Sequence, residues 1–83
     1  MDYLRGNLFD TEGQTRFEGL EVIIETRTAS GGGEEWSGYF EPPTASGLIS
    51  GEVFRLVLED GRARDIEIKA VEATGSGRAR ILF

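Results

Sequence analysis

The dipeptide Asp60-Gly61 stands between two runs of alternating apolar and polar residues, and this arrangement limits the possible folds more than any other feature. The even positions of the run 54–58 are Phe54, Leu56 and Leu58, and those of the run 64–70 include Ile66, Ile68 and Ala70. A period of two, with aliphatic and aromatic side chains on one side, is typical of a half-buried β-strand. Asp-Gly between two such runs is the strongest short-range sign of a β-hairpin. The sequence therefore predicts a hairpin, which we place at the centre of the fold.

The parity of the two runs also bears on the length of the hairpin loop. A two-residue turn would place Leu56 opposite Asp65, and because directly opposed residues share a face, an apolar side chain would meet a carboxylate. A three-residue loop with Gly61 as a left-handed bulge instead places Phe54 opposite Ile66. A register two residues further on, with Leu56 opposite Ile66, keeps the same face inward. We predict a loop of odd length, and both registers remain open.

The whole pattern predicts one all-β domain that covers residues 1–83. Twelve glycines lie among short runs of Val, Ile, Thr and Phe, which is a composition of strands and turns rather than helices. We expect five to six strands in meander order, because consecutive strands with short connections are usually antiparallel neighbours. A sheet in so short a chain must curl to enclose a core. We therefore predict a small open β-barrel or a strongly rolled antiparallel sheet.

Two glycines inside strand candidates have specific predicted roles. In the second strand candidate, residues 15–28, Phe17 lies on the wrong parity for the inner face, and a bulge at Glu18-Gly19 would return it to that face. In the third candidate, residues 35–41, Trp36 shares a face with Gly38, which makes room beside a packed neighbouring strand. The only tryptophan of a small domain is usually a core residue, so we predict that Trp36 anchors the core.

The residue types present exclude several kinds of chemistry. The chain has neither cysteine nor histidine, so disulfides, thiolate zinc sites and imidazole catalysis are ruled out. Segment 10–14 (DTEGQ) has two carboxylates before a glycine, as a calcium loop does, but the other ligands of such a loop are missing. A plain hairpin loop is the better interpretation. We expect no catalytic residue, no metal site and no cofactor.

Charge and hydropathy limit the possible partners. A net charge of −6 would repel phosphate backbones, so we expect no nucleic-acid partner. No apolar run approaches the roughly 20 residues that span a bilayer, so we expect no membrane partner. The first ten residues lack the basic and apolar regions of a secretion signal, which predicts a cytoplasmic location. The excess of arginine over the single lysine is typical of a GC-rich genome. The hairpin sequence 51–62 (GEVFRLVLEDGR) is similar to that of small bacterial domains, so we expect a bacterial source.

Two hypotheses about function follow. The first is a non-catalytic protein-interaction or structural module, with self-association included, that uses an exposed sheet edge or apolar side chains on the outer face. Several such side chains side by side would form a larger patch than monomers usually expose. The second is a small-ligand-binding barrel, with its site formed by the loops 29–34 and 42–51. The candidate interaction residues of the first hypothesis are Tyr39, Tyr3, Ile23, Val53 and Val57.

Overall fold

Seven antiparallel β-strands form one sheet in the computed structural model, which describes residues 2–43, 47–75 and 78–83. Along the sheet the strands lie in the order β5-β4-β1-β2-β3-β7-β6, and the sheet is rolled into a half-barrel. The strands are β1 (Asp2–Phe9), β2 (Thr15–Thr28), β3 (Glu34–Phe40), β4 (Val53–Leu58), β5 (Ala63–Glu67), β6 (Ala70–Ala73) and β7 (Ala79–Leu82). The predicted all-β antiparallel fold is confirmed.

The predicted strand count and the meander order are wrong. The strand predicted after Gly61 is two strands, which are divided at Ile68 and Lys69. The N–H of Ile68 donates to the carbonyl oxygen of Glu52 at 2.8 Å, and Glu52 directly precedes β4. The N–H of the next residue, Lys69, donates to the carbonyl oxygen of Leu82 in β7, also at 2.8 Å. The chain thus leaves one end of the sheet and continues at the other end, which rolls the sheet.

The Asp60-Gly61 hairpin lies at an end of the sheet rather than at its centre. Phe54 pairs with Ile66, which is the register of the three-residue loop. The N–H of Gly61 donates to the carbonyl oxygen of Leu58 at 2.9 Å, and Gly61 has a φ of 94°. A left-handed glycine at this position closes a bulged hairpin without the steric cost that a side chain would bring.

Two aspartates are explained by the turns in which they lie. The backbone N–H of Arg62 donates to the carboxylate of Asp60 at 3.0 Å, and this hydrogen bond is the main reason that the pKa of Asp60 lies below its ordinary value of 3.8. The Asp10 carboxylate accepts from the backbone N–H groups of Glu12 (3.0 Å) and Gln14 (2.9 Å). These are Asx-type turns, in which the side chain replaces a backbone acceptor.

The predicted bulge in the second strand is confirmed. Gly6 pairs with Leu20 and Leu8 pairs with Phe17, so β2 has one residue more than β1 between these two pairs. Gly19 lies within the extra stretch and has a φ of 66°. The bulge returns Phe17 to the inner face, where it packs against the core.

The inside of the half-barrel is filled with apolar side chains. Leu48, in the connection between β3 and β4, is buried there, and Pro42 at the start of that connection is also buried. Residues 44–46 of this connection lie outside the described residues. Besides Pro42, thirteen aliphatic and aromatic side chains of the described residues are buried: Leu8, Leu20, Val22, Ile24, Phe40, Leu48, Phe54, Leu56, Leu58, Ile66, Ile68, Ile81 and Phe83.

Candidate functional site

Three of the five predicted interaction residues lie in one row on the outer face of the sheet. Tyr3 pairs with Ile23, Ile23 pairs with Tyr39, and Tyr39 pairs with Leu82. We call these four residues the outer row. It crosses β1, β2, β3 and β7, and neighbouring strands about 4.8 Å apart give it a length of roughly 14 Å. Tyr3 is 64% exposed, and the other three side chains are half-buried.

Val53 and Val57 do not belong to the outer row. Val57 pairs with Asn7, which is four residues from Tyr3 along β1 and therefore roughly 13 Å away. Val53 is 43% exposed and borders a groove that is also lined by Phe9. This groove lies on the β4 side of the middle strand β2, whereas β3 and β7 lie on the other side. The candidate residues thus fall into two separate groups, because β4 neighbours β1 and lies away from β3 in the sheet.

Charged side chains of both signs border the outer row at its β1 end. The hydroxyl of Tyr3 donates a hydrogen bond of 2.7 Å to the carboxylate of Glu21. The other oxygen of that carboxylate lies 3.8 Å from the guanidinium of Arg5. Both charged side chains are more than half exposed, and exposed ion pairs contribute little to stability. Their role here is to fix the position of the Tyr3 ring.

The β7 end of the row has a similar border. The guanidinium of Arg80 lies 4.4 Å from the centroid of the Tyr39 ring and 3.2 Å from a carboxylate oxygen of Glu41. A cation over an aromatic face is attracted by the ring's quadrupole, so Arg80 restrains the Tyr39 ring. The aromatic faces of the row are therefore ordered by their charged neighbours.

The hydrogen bond between Tyr3 and Glu21 makes a testable prediction about pH. This bond, as the largest cause, raises the pKa of Tyr3 above 10.0. Because the pKa is higher in the folded chain than in the unfolded one, the stabilisation is fully present below the unfolded pKa and is lost as pH rises through the folded pKa. We expect Glu21→Gln to lower the pKa of Tyr3 towards 10.0, measured by ultraviolet titration in a Tyr39→Phe background. An unchanged pKa in Glu21→Gln would contradict the assignment.

A second feature, the edge groove, lies at the opening of the half-barrel. It has a volume of about 360 Å³ and lies between residues 34–37 of β3 and residues 64–67 of β5, with Phe83 at one end. Trp36 is half-buried there and packs against the core, so the predicted core anchor is in fact at the rim. Its indole N–H donates to the carboxylate of Glu34. Sequence reasoning missed the groove, because its two walls are about thirty residues apart in the chain.

The two loops proposed for a ligand site do not meet at one end of the barrel. Loop 29–34 precedes β3 and loop 42–51 follows it, so they join opposite ends of that strand. In the second loop Leu48 points into the core, whereas Ile49 is 63% exposed. The interior space that a ligand would need between them is occupied by the core side chains.

The described part of the chain contains no group of three or more His, Cys, Asp or Glu side chains that could hold a metal ion. Within that same part, no helix is long and apolar enough to cross a bilayer. No known family, no curated protein and no solved structure matches this chain. The outer row and the edge groove are therefore the candidate functional features of the described residues.

Proposed function

We propose that the chain is a non-catalytic protein-interaction module that associates with a second copy of itself through the outer row. The observation that carries this proposal is the register of Tyr3, Ile23, Tyr39 and Leu82 across four neighbouring strands. The solvent face of an antiparallel sheet is usually polar, and contiguous apolar side chains on such a face are typical of interaction sites. A cytoplasmic location stays a prediction.

The charges around the row support a second copy as the partner. A dimer with two-fold symmetry uses the same patch on both subunits. If a residue of one subunit contacts a different residue of the second, the reverse contact is made as well. A two-fold axis that runs along the strands between β3 and β7 would place Tyr39 against Leu82 of the second copy. The same operation places Glu41 against Arg80 of the second copy, so that opposite charges meet on both sides. With this axis Tyr39 and Leu82 face each other across the two copies, with opposite charges beside them. Ile23 faces Ala70 of the second copy, and Tyr3 lies beyond the β6 edge.

The experiment is a measurement of mass in solution over a range of concentrations. Sedimentation velocity up to about 1 mM detects association of roughly 4 kcal/mol. We expect the 9.1 kDa chain to approach twice its mass and Ile23→Lys to remain a monomer. Val57→Lys is the matched control, because Val57 is an outer-face residue outside the row and this variant should associate normally. A wild-type monomer at the highest concentration, or equal loss in both variants, would overturn the proposal.

Ligand binding between the loops 29–34 and 42–51 is the second proposal, and it has less support. The inside of the half-barrel is filled, with Leu48 of the second loop among the buried side chains. The loops also join opposite ends of β3. No single observation favours this function over interaction through the outer row.

A further inference from the structure

Two strand edges without partners face each other across the edge groove. β5 lies at an end of the sheet and has only β4 as a neighbour. β3 pairs with β7 only at Tyr39 and Phe40, and Gly38 adds two backbone hydrogen bonds with Phe83 (3.1 and 3.0 Å). Among the residues that the structure describes, the groove side of 34–37 and of 63–67 therefore has no paired strand.

The hydrogen bonds on β5 show which backbone groups point into the groove. The carbonyl oxygen of Arg62 accepts from Leu58 at 2.7 Å, and the N–H of Ile68 donates to Glu52 at 2.8 Å, both towards β4. In an antiparallel strand the N–H and C=O of one residue point to the same side, and the side alternates from residue to residue. The backbone groups of Ala63, Asp65 and Glu67 therefore point away from β4 and into the groove.

The backbone groups of β3, on the opposite wall, alternate in the same way. The N–H and C=O of Gly38 both bond to Phe83, on the β7 side of the strand. By alternation, the backbone groups of Trp36 and Glu34 point to that side as well. Both walls of the groove thus present backbone donors and acceptors to a strand that would lie between them.

The position of β7 defines the direction of such a strand. β7 lies between β3 and β6 in the sheet, and Phe83 lines one end of the groove. A strand in line with β7 beyond Phe83 would run between β3 and β5. It would be antiparallel to both, because β7 is antiparallel to β3 and to β6. The groove is the place of one more strand in the rolled sheet.

The side chains around the groove specify the chemistry of the occupant. Trp36 and Ile66 lie on its inner side and pack on the core, so an inserted strand would place apolar side chains inward. Glu35, Asp65 and Glu67 lie on the outer side, because side chains alternate along each strand. Opposite charges on neighbouring strands attract, so lysine or arginine suits the outward positions of the inserted strand.

The three outer carboxylates already have the cationic partners Arg27, Arg55 and Lys69, and two of these, Arg27 and Lys69, also line the groove. Their nearest cation–oxygen distances are 3.5 Å for Glu35, 3.1 Å for Asp65 and 3.6 Å for Glu67. All of these side chains are at least half exposed, and exposed ion pairs of this kind contribute little to stability. The carboxylates can therefore turn towards an incoming cation without a large cost.

We propose that the edge groove binds an extended peptide of about five residues, in which apolar side chains alternate with lysine or arginine, by addition of a strand between β3 and β5. Backbone hydrogen bonds to both walls hold the peptide, and the alternation of its side chains sets its orientation. The site does not depend on the outer row, since Trp36 and Ile66 face the inside of the half-barrel and the outer row faces solvent.

The test uses a capped synthetic peptide of alternating lysine and valine. Trp36 is the only tryptophan of the chain, so its fluorescence reports binding at the groove. We expect a saturable change in that fluorescence, together with shifts of the Trp36, Asp65 and Glu67 amide signals in the NMR spectrum. A peptide with glutamate in place of lysine should bind at least about tenfold more weakly, because it meets three carboxylates.

Two matched changes test the strand addition itself. Asp65→Pro removes a groove-facing N–H at an edge position where proline is tolerated, and it should abolish binding, whereas Asp65→Asn should only weaken it. A peptide with methylated backbone nitrogens should also fail to bind the unaltered protein, which keeps the test valid if the proline variant does not fold. Ile23→Lys should bind the peptide normally. Binding that survives both changes, or an absence of any Trp36 response at millimolar peptide, would overturn the proposal.

Discussion

Replacement of Gly38 by alanine is expected to lower the free energy of unfolding by about 3 kcal/mol or more, at the upper end of overpacking costs. Gly38 lies on β3 and pairs with Ile24 of β2. A Cβ atom at this position would overlap the backbone carbonyl oxygen of Ile23 and lie 3.1 Å from the Cα of Ile24. Both are backbone atoms, which cannot rotate away as a flexible side chain would, so β2 and β3 would have to separate.

The separation would also disturb the other side of β3. Gly38 exchanges two backbone hydrogen bonds with Phe83, and Phe83 is part of the core. A shift of β3 away from β2 therefore also disturbs its contact with β7. Since small domains are stable by only about 5–15 kcal/mol, the variant should be close to unfolding at ordinary temperature.

Gly33→Ala is the matched control for Gly38→Ala. A Cβ at Gly33 meets no atom within 4 Å, and Gly33 does not have a positive φ. Its unfolding free energy should change by less than about 0.5 kcal/mol, as for most surface substitutions. Urea unfolding of both variants measures the difference. Equal midpoints would show that β2 and β3 are not in the close contact that the structure gives them.

The features that the sequence predicts well are those that depend on neighbours along the chain. The period of two in β2 places Val22 and Ile24 on the inner face, and both are fully buried. The parity of Phe17 predicts the bulge at Gly19, because a single extra residue moves every later side chain to the other face. A side chain's face within a strand is thus set by local geometry that the sequence carries directly.

The features that the sequence does not predict depend on partners far along the chain. The alternation of apolar and polar residues around Ile68 continues without a break, yet the strand divides there. The reason is that the backbone of Ile68 hydrogen-bonds to Glu52 beside β4, whereas that of Lys69 hydrogen-bonds to Leu82 of β7. No local pattern contains this exchange of partners. The meander order was wrong for the same reason, since the position of β4 beside β1 follows from how the whole sheet rolls.

The candidate functional residues likewise divide into those that local sequence predicts and those that depend on strand order. Tyr3, Ile23 and Tyr39 are predicted as outward-facing residues from parity, and they fall in one row because β1, β2 and β3 are consecutive neighbours. Val53 and Val57 have the same parity but lie on β4, whose neighbours the sequence does not reveal. The edge groove is a product of strand order alone and has no local signature.

Ile24→Ala is expected to lower the free energy of unfolding by about 2–5 kcal/mol, whereas Ile23→Ala should lower it by less than about 1 kcal/mol. The two residues are identical and adjacent on β2, but Ile24 is fully buried in the core and Ile23 lies half-buried on the outer face. Removal of the Ile24 side chain beyond Cβ leaves a cavity that the rigid sheet cannot close, while solvent fills the space at Ile23. Thermal and urea unfolding at a concentration low enough to keep both variants monomeric measure the contrast. If the Ile23 change were the more costly of the two, the faces of β2 would be reversed, and with them both the core and the outer row.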